Sequence, residues 1–282
     1  MSSSSVAFVP QGSVGQIISY MVEKNFDVHQ KVDRYLLYFI GRPQAGWVSI
    51  NQPVLTRGDF LYKLSHSKAA LKVITYIPGE TKELLLAQLA IAFDLSYDKL
   101  LQEYASATPY IDGFIVPDTY YIPVGISEKH LIHFLLANAK KYHKEVFEKI
   151  FGEFNEAKWQ KFMIIASIIQ KEAANVEEMP LVSSVIYNRL KKDMKLQMDG
   201  TLNYGQYSHV KVTPQRIRED TSPYNTYMYK GLPPNPICGV SKEAIFAAIF
   251  PKQTNYLYFV KNKNGTHTFS QNYETHLDNI RN

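Results

Sequence analysis

Ile164-Ile165-Ala166-Ser167-Ile168-Ile169-Gln170-Lys171-Glu172-Ala173 is the stretch on which the reading of this chain turns. It closes a helix predicted over residues 156–174. Ile165, Ile168 and Ile169 precede Glu172 by seven, four and three residues, the spacings that put side chains on one helical face. A carboxylate therefore ends an apolar stripe. Either Glu172 is the first solvated residue as the helix leaves a core, or it is a partly desolvated acid. In the second case burial and the negative end of the helix dipole both raise its pKa toward that of a useful general acid. Lys171 lies about 100° round the helix and is poorly placed to neutralise it.

Helices are also predicted at 128–151 and from Pro180, in the favoured first position, to about Lys192. Before them come short strands alternating with helices. Val6–Val9 reads as a strand and Pro10-Gln11-Gly12 as a turn. Ser13, with Gln16 three residues on, has capping-box spacing ahead of a helix reaching about Lys24. The pattern recurs at Val73–Ile77, Pro78-Gly79-Glu80, Thr81 and the apolar run 84–93, a weak internal repeat. Continued by Leu95-Ser96-Tyr97-Asp98-Lys99-Leu100-Leu101, this second unit resembles the LysM carbohydrate-binding module; a generic helix pair on a small sheet is the alternative. Pro109, Asp112-Gly113 and Pro117-Asp118 break the pattern, which sets a domain boundary near Ser106.

Beyond the third long helix, periodicity disappears between Asp193 and Cys238 under Gly, Pro, Asn, Ser and Tyr, as in a functional loop region. Residues 244–250 form another helix. Tyr256–Val260 and His267–Ser270 flank Asn264-Gly265 as a β-hairpin. The fold class expected is α+β: a small N-terminal LysM-like α/β part over 1–105, with the module at about 73–105, and a larger mixed catalytic domain over 106–282 ending in the hairpin.

The loop segments Leu196–Thr201 and Thr221–Tyr227 concentrate amides, hydroxyls and phenols. Such groups donate and accept at once and suit a neutral, hydroxyl-rich ligand. Turn chemistry is the favoured explanation of Ser222 and Pro223, whereas Asn225 and Tyr227 lean toward ligand contact. Six of the 20 tyrosines fall between Tyr187 and Tyr229, where their rings can stack on sugars or simply populate a loop-rich region.

Several classes are excluded. With 31 Lys+Arg against 26 Asp+Glu, the net charge of +5 is too small to argue for nucleic acid. The single cysteine, Cys238, rules out an intrachain disulfide or a zinc–cysteine cluster, and it reads as a buried inert thiol. The histidines form no H-E-x-x-H and no clustered ligand set, so neither metal nor cofactor is expected. No apolar run approaches the roughly 18 residues of a membrane span.

Ordered blocks over the last hundred or so residues resemble the endolytic murein transglycosylases, the YceG-like family. They are Ile164–Ala173, Val185-Ile186-Tyr187-Asn188-Arg189-Leu190, Leu196–Gly205, Ser222–Ile237, and Tyr256–Val260 with Gly265–Ser270. Asp112–Tyr120 resembles a further block, and the N-terminal third matches more loosely. The resemblance implies a lytic transglycosylase that cuts peptidoglycan glycan strands endolytically, leaves 1,6-anhydro ends and limits strand length. It makes Glu172 the catalytic acid and base. Gln197, Asp199, Thr201, Tyr204, Ser222, Tyr224, Asn225 and Tyr227 then line the glycan groove. It also implies an inner-membrane anchor upstream, in keeping with the abrupt Met1–Ser5 opening, a periplasmic catalytic part, and cell-wall synthesis proteins as candidate partners. Three positions depart from the family pattern: Gln170 and Asp112 stand where it has Glu, and Gly200 where it has Pro. Gln170 leaves Glu172 the only acid of its block, and Gly200 is expected to loosen the loop that sets Asp199. A water-using muramidase and a non-catalytic peptidoglycan-binding protein are the competing readings.

Overall fold

A computed structural model describes residues 6–50 and 55–281; the Met1–Ser5 opening, on which the expectation of an upstream anchor leaned, lies outside the described residues. Eleven α-helices and three two-stranded sheets occur among them, a mixed α+β architecture. The chain divides into two compact units, Met1–Ile74 with Tyr120–Ser127, and Thr75–Thr119 with Glu128–Asn282.

In the first unit, strand β1 (Val6–Val9) leads through a turn into helix α1 (Val14–Glu23), followed by α2 (Val32–Ile40), strand β2 (Gly46–Ser49) and α3 (Arg57–His66). The capping box at the start of α1 forms as its spacing predicts. Gln16 N–H donates to Ser13 Oγ at 3.4 Å, and Ser13 N–H donates to Gln16 Oε1 at 2.8 Å. β1 and β2 pair antiparallel, with Ala7 opposite Val48 and Val9 opposite Gly46. Ala7, Val9, Ile17, Met21, Val48 and Leu64 pack as one apolar cluster; Val14, Ile18, Leu37 and Leu61 form another.

Strand β3 (Leu71–Thr75) pairs with β4 (Thr119–Pro123). It lies two residues earlier than the 73–77 expected. Tyr76 turns inward, buried, and its hydroxyl donates to the Glu80 carbonyl at 2.8 Å. Between the two strands run α4 (Lys82–Phe93) and α5 (Tyr97–Ala107). The chain order strand, helix, helix, strand, with its strands paired, is thus the same for β1-α1-α2-β2 and β3-α4-α5-β4.

The second unit is built on α6 (Glu128–Phe151), α7 (Glu156–Glu172), α8 (Met179–Lys191) and α10 (Lys242–Ile249), with the short α9 (Pro214–Glu219) in the loop region. One cluster joins them: Trp159, Ile165, Ile168 and Ile169 of α7, Val182, Val185 and Ile186 of α8, Ala244, Ile245 and Ala248 of α10, and the loop residues Leu196, Met198, Ile237 and Cys238. The C-terminal hairpin forms as expected, β5 (Tyr258–Lys261) against β6 (His267–Ser270), with Phe259 opposite Phe269, and α11 (Tyr273–Arg281) follows. Glu178 fastens the hairpin. Its carboxylate accepts from His267 N–H at 2.7 Å, lies 2.7 Å from His267 Nδ1, and accepts from Ala174 N–H at 3.3 Å.

Candidate active site

Helix α7 delivers Glu172. Asn155 caps its start, accepting from Lys158 N–H at 2.9 Å, and Ala173 takes an extended conformation (φ −71°, ψ 135°), so the helix stops at the glutamate. The preceding turns are sealed. Ser167 is fully buried; its Oγ donates to the Ile164 carbonyl at 2.8 Å and accepts from Ile237 N–H at 3.1 Å. Cys238, also fully buried, points its thiol at the Ser167 carbonyl, 3.6 Å away.

The loop after α8 comes to meet Glu172. Leu196, Met198 and Gly200 face inward while Gln197 and Asp199 face solvent, an alternation anchored on Thr226. Gln197 N–H donates to the Thr226 carbonyl at 3.1 Å, and Met198 N–H donates to Thr226 Oγ1 at 3.1 Å. Gln197 holds φ +47°, left-handed backbone that a side-chain-bearing residue rarely adopts. Such strained residues gather at functional sites. A 3₁₀ turn over Asp199–Leu202 follows.

Within that turn Gly200 N–H donates to Glu172 Oε1 at 2.6 Å. A Cβ at position 200 would stand 2.6 Å from Lys171 Cβ and 2.9 Å from Glu172 Oε1. With the backbone as it stands, a side chain at position 200 would require Lys171 or Glu172 to shift. At this point of the loop the Gly200 backbone is clamped onto the carboxylate. Gln170 likewise faces elsewhere, its Oε1 accepting from Ser241 N–H, at the cap of α10, at 3.0 Å.

Glu172 is half-buried, and its pKa is raised to about 7. Desolvation is the largest cause. The Gly200 N–H opposes it, the Asp199 carboxylate adds to it, and the Arg189 guanidinium pulls it back. Asp199 is itself held by the Tyr227 hydroxyl, which donates to Oδ1 at 2.6 Å. Arg189, singled out by no sequence pattern of its own, is nearly buried. Its Nε donates to the Leu257 carbonyl at 2.6 Å, a second nitrogen donates to the Leu196 carbonyl, and the guanidinium lies 5.3 Å from the Tyr258 ring centroid. It joins the hairpin strand, the loop and the carboxylate; only its place in the Val185–Leu190 block hinted at a role.

The remaining candidates divide. Tyr204 and Tyr224 stack, ring centroids 4.5 Å apart and 16° from parallel. The Tyr204 hydroxyl donates to Asp220 Oδ2 at 3.2 Å, and Ser222 N–H donates to Asp220 Oδ1 at 2.9 Å. Gln197, Asp199, Tyr204, Ser222, Tyr224 and Tyr227 all keep exposed surface. Asn225 and Thr201 do not, and the expectation that they line a groove is corrected on this point. Asn225 is 0% exposed; its amide donates to the Ile217 and Asp220 carbonyls at 2.8 and 2.6 Å, and its Oδ1 accepts from Tyr227 N–H at 3.1 Å. Thr201, equally buried, donates to the Met198 carbonyl at 2.7 Å and shares a hydrogen bond with Thr226 Oγ1 at 2.9 Å. Both shape the loops from inside. Among the described residues no group of three His, Cys, Asp or Glu is arranged to hold a metal ion.

A carboxyl of near-neutral pKa at a helix end, fixed by a loop N–H and with Asp199 and Tyr227 close by, is equipped for acid–base chemistry. The chain matches the YceG-like family over residues 7–282 and belongs to it. It is 27% identical over 298 residues to the endolytic murein transglycosylase of Bacillus subtilis, covering 95% of this chain and 81% of that protein. It is 27% identical over 230 residues to the endolytic murein transglycosylase of Streptococcus pneumoniae serotype 2, covering 79% of this chain and 40% of that one. The crystal structure of a yceG-like protein from Listeria monocytogenes superposes with a TM-score of 0.63 at 25% identity, over 97% of this chain and 98% of the other.

Proposed function

We propose that this chain is a lytic transglycosylase that cleaves the glycan strands of murein, with Glu172 as its acid and base. The observation that carries the proposal is the Glu172 carboxyl itself, with a pKa raised to about 7 and pinned by Gly200 N–H at 2.6 Å. Protonated Glu172 donates to the oxygen linking N-acetylmuramic acid to N-acetylglucosamine, and the C1–O bond breaks through an oxocarbenium-like state. The substrate's 2-acetamido group stabilises that cation. The Glu172 carboxylate then takes the proton of the muramoyl 6-hydroxyl as O6 bonds to C1, which gives a 1,6-anhydro end and returns the acid. The reaction is intramolecular and needs no second carboxylate. Endolytic action is taken from the names of the relatives, and a role in limiting strand length is part of the proposal.

Gln197, Asp199, Tyr204, Ser222, Tyr224 and Tyr227 form the groove in this proposal, with Asn225 and Thr201 supporting it from beneath. The earlier residues supply wall affinity in this proposal: the strand-helix-helix order of β3-α4-α5 supports a LysM-like reading of about 73–105, with 1–105 for binding and 106–282 for catalysis. Action on the wall supports a catalytic part outside the cytoplasm; in this proposal it is periplasmic and tethered by an inner-membrane anchor, within reach of cell-wall synthesis proteins. Among the described residues no helix is long and apolar enough to cross a membrane.

One observation favours a second reading. Asp199 lies close enough to raise the Glu172 pKa, and two neighbouring carboxyls suit a water-using muramidase. Mass spectrometry of muropeptides released from intact sacculi separates the two. Anhydro ends support the transglycosylase, and reducing ends carrying oxygen from labelled water support the muramidase. Glu172→Gln should lower turnover by several orders of magnitude while the strands still bind; full activity in that variant would remove Glu172 from the chemistry, and binding without any wild-type cleavage would leave only a wall-binding protein. Since the acid must be protonated, kcat/KM should fall as pH rises through about 7.

A further inference from the structure

We propose that the cavity lined by Arg216, Tyr204 and Tyr207 is a subsite for a carboxylate carried on the lactyl arm of the muramoyl residue, an assignment that rests on the murein reading above. The cavity measures about 590 Å³, and Asp220, Glu219 and Ser222 complete the walls the chemistry depends on. Its distinguishing feature is Arg216. One of its terminal nitrogens donates to the Leu202 carbonyl, and its guanidinium lies 4.4 Å from the centroid of the Tyr207 ring. The other terminal nitrogen, Nη1, is buried and has no hydrogen-bond partner. No ion pair among the described residues includes this arginine. A buried guanidinium donor left open is costly unless a ligand fills it.

The two acids beside it are otherwise engaged. Asp220 accepts from the Tyr204 hydroxyl and from Ser222 N–H, and Glu219 Oε1 accepts from Gln215 Nε2 at 2.9 Å. Their charges still make the cavity a poor trap for free anions, and one open donor is no phosphate nest. The site instead suits a carboxylate delivered by a ligand bound elsewhere. Delivery is built in: the single turn Asp199–Leu202 gives Gly200 N–H to Glu172 and the Leu202 carbonyl to Arg216. At about 2 Å of rise per residue, those two anchor points are separated by roughly 4 Å along the turn. On this reading a muramoyl ring held at Glu172 presents its O3 substituent toward the guanidinium. The carboxylate belongs either to the lactyl group itself or to a peptide attached to it.

The test compares equilibrium binding of three ligands to the full chain in the wild type and in Arg216→Gln, which keeps a planar donor for the Leu202 carbonyl. The ligands are peptide-bearing murein strands, strands stripped of peptide by an amidase, and chitooligosaccharide, which has no lactyl arm. Affinity for lactyl-bearing strands should fall by about ten- to a hundredfold while chitooligosaccharide binding is unchanged. Arg216→Lys should recover part of the loss. A loss confined to peptide-bearing strands assigns the carboxylate to the peptide, a loss confined to the amidase-treated strands, where cleavage of the amide frees the lactyl carboxylate, assigns it to the lactyl group, and a loss on both shows that Arg216 takes whichever carboxylate the arm carries. Equal loss on all three ligands makes Arg216 a scaffold residue and overturns the subsite, as does no loss on any. A wild type that binds no murein fragment defeats the murein reading itself, a different result from normal wild-type binding that Arg216→Gln leaves intact.

Discussion

Ser13 and Thr81 stand at equivalent places in two strand-turn-helix units of the same order, and they spend their side chains in opposite ways. Ser13 closes a capping box with Gln16, three residues away. Thr81 makes no cap; fully buried, it donates to the carbonyl of Gly205 at 2.8 Å, across 124 residues. The helix start it leaves open is served by Asp112, whose two oxygens accept from Lys82 N–H at 3.1 and 3.2 Å. The neighbouring turn is also fastened at long range. Gly79 N–H donates to the Gly239 carbonyl at 2.8 Å, and Gly239 N–H returns to the Glu80 carbonyl at 2.9 Å. A Cβ at Gly239 would stand 2.5 Å from the Tyr76 hydroxyl. One pattern can therefore build a self-sufficient helix start or a bracket for distant loops. In the second use the polar groups hold the segment beside Tyr204 that borders the proposed groove.

Removing the bracket should cost most. Asp112→Ala strands Lys82 N–H and Gly113 N–H, the latter 2.6 Å from Oδ1, and should lower unfolding free energy by about 3 kcal/mol in urea titration. Asp112→Asn keeps an acceptor and tests charge instead. Burial, then the nearby Glu83, push the Asp112 pKa from 3.8 to about 7 against the pull of its N–H donors and Lys82. The folded state thus holds a proton that the unfolded chain has lost between about pH 4 and pH 7, so wild-type stability falls as pH rises through that window. Asp112→Asn should flatten this slope and be more stable than the wild type at pH 8 by roughly 2 kcal/mol. Thr81→Val keeps shape but orphans the Gly205 carbonyl, with an expected loss of about 1–2 kcal/mol and a measurable drop in murein cleavage. Ser13→Ala should cost about 1 kcal/mol or less and leave cleavage unchanged. Should Ser13→Ala reduce cleavage as much as Thr81→Val, the contrast between the two starts is broken.

What was legible in the sequence follows the same division. The helix at 128–151, the stripe ending at Glu172 and the hairpin around Asn264-Gly265 are periodic or local, and spacing alone places them. Asn225 looked like a ligand residue because an amide in a polar loop offers both donor and acceptor; its partners at Ile217 and Asp220 are themselves loop carbonyls, which no periodicity marks. The Gly200–Glu172 hydrogen bond joins residues 28 apart and uses a backbone N–H, so no side-chain pattern announces it. Arg189 carries no signal of its own in the sequence because a basic residue near a helix end ordinarily reads as solvated, whereas here two carbonyls and an aromatic ring draw it inside.

Cys238 gives the molecule an internal clock. Its thiol is sealed against α7 at the Ser167 carbonyl, and burial raises its pKa, so an alkylating reagent in solvent meets neither the sulfur nor its reactive anion. Labelling must wait for the Pro236–Gly239 segment to lift from the helix, and when reclosing is fast its rate reports the free energy of that opening. The same residue stretch carries the Gly239 end of the bracket. A substitution that abolishes cleavage and leaves the labelling half-time untouched has removed chemistry; one that shortens the half-time has loosened the shelf on which Glu172 sits.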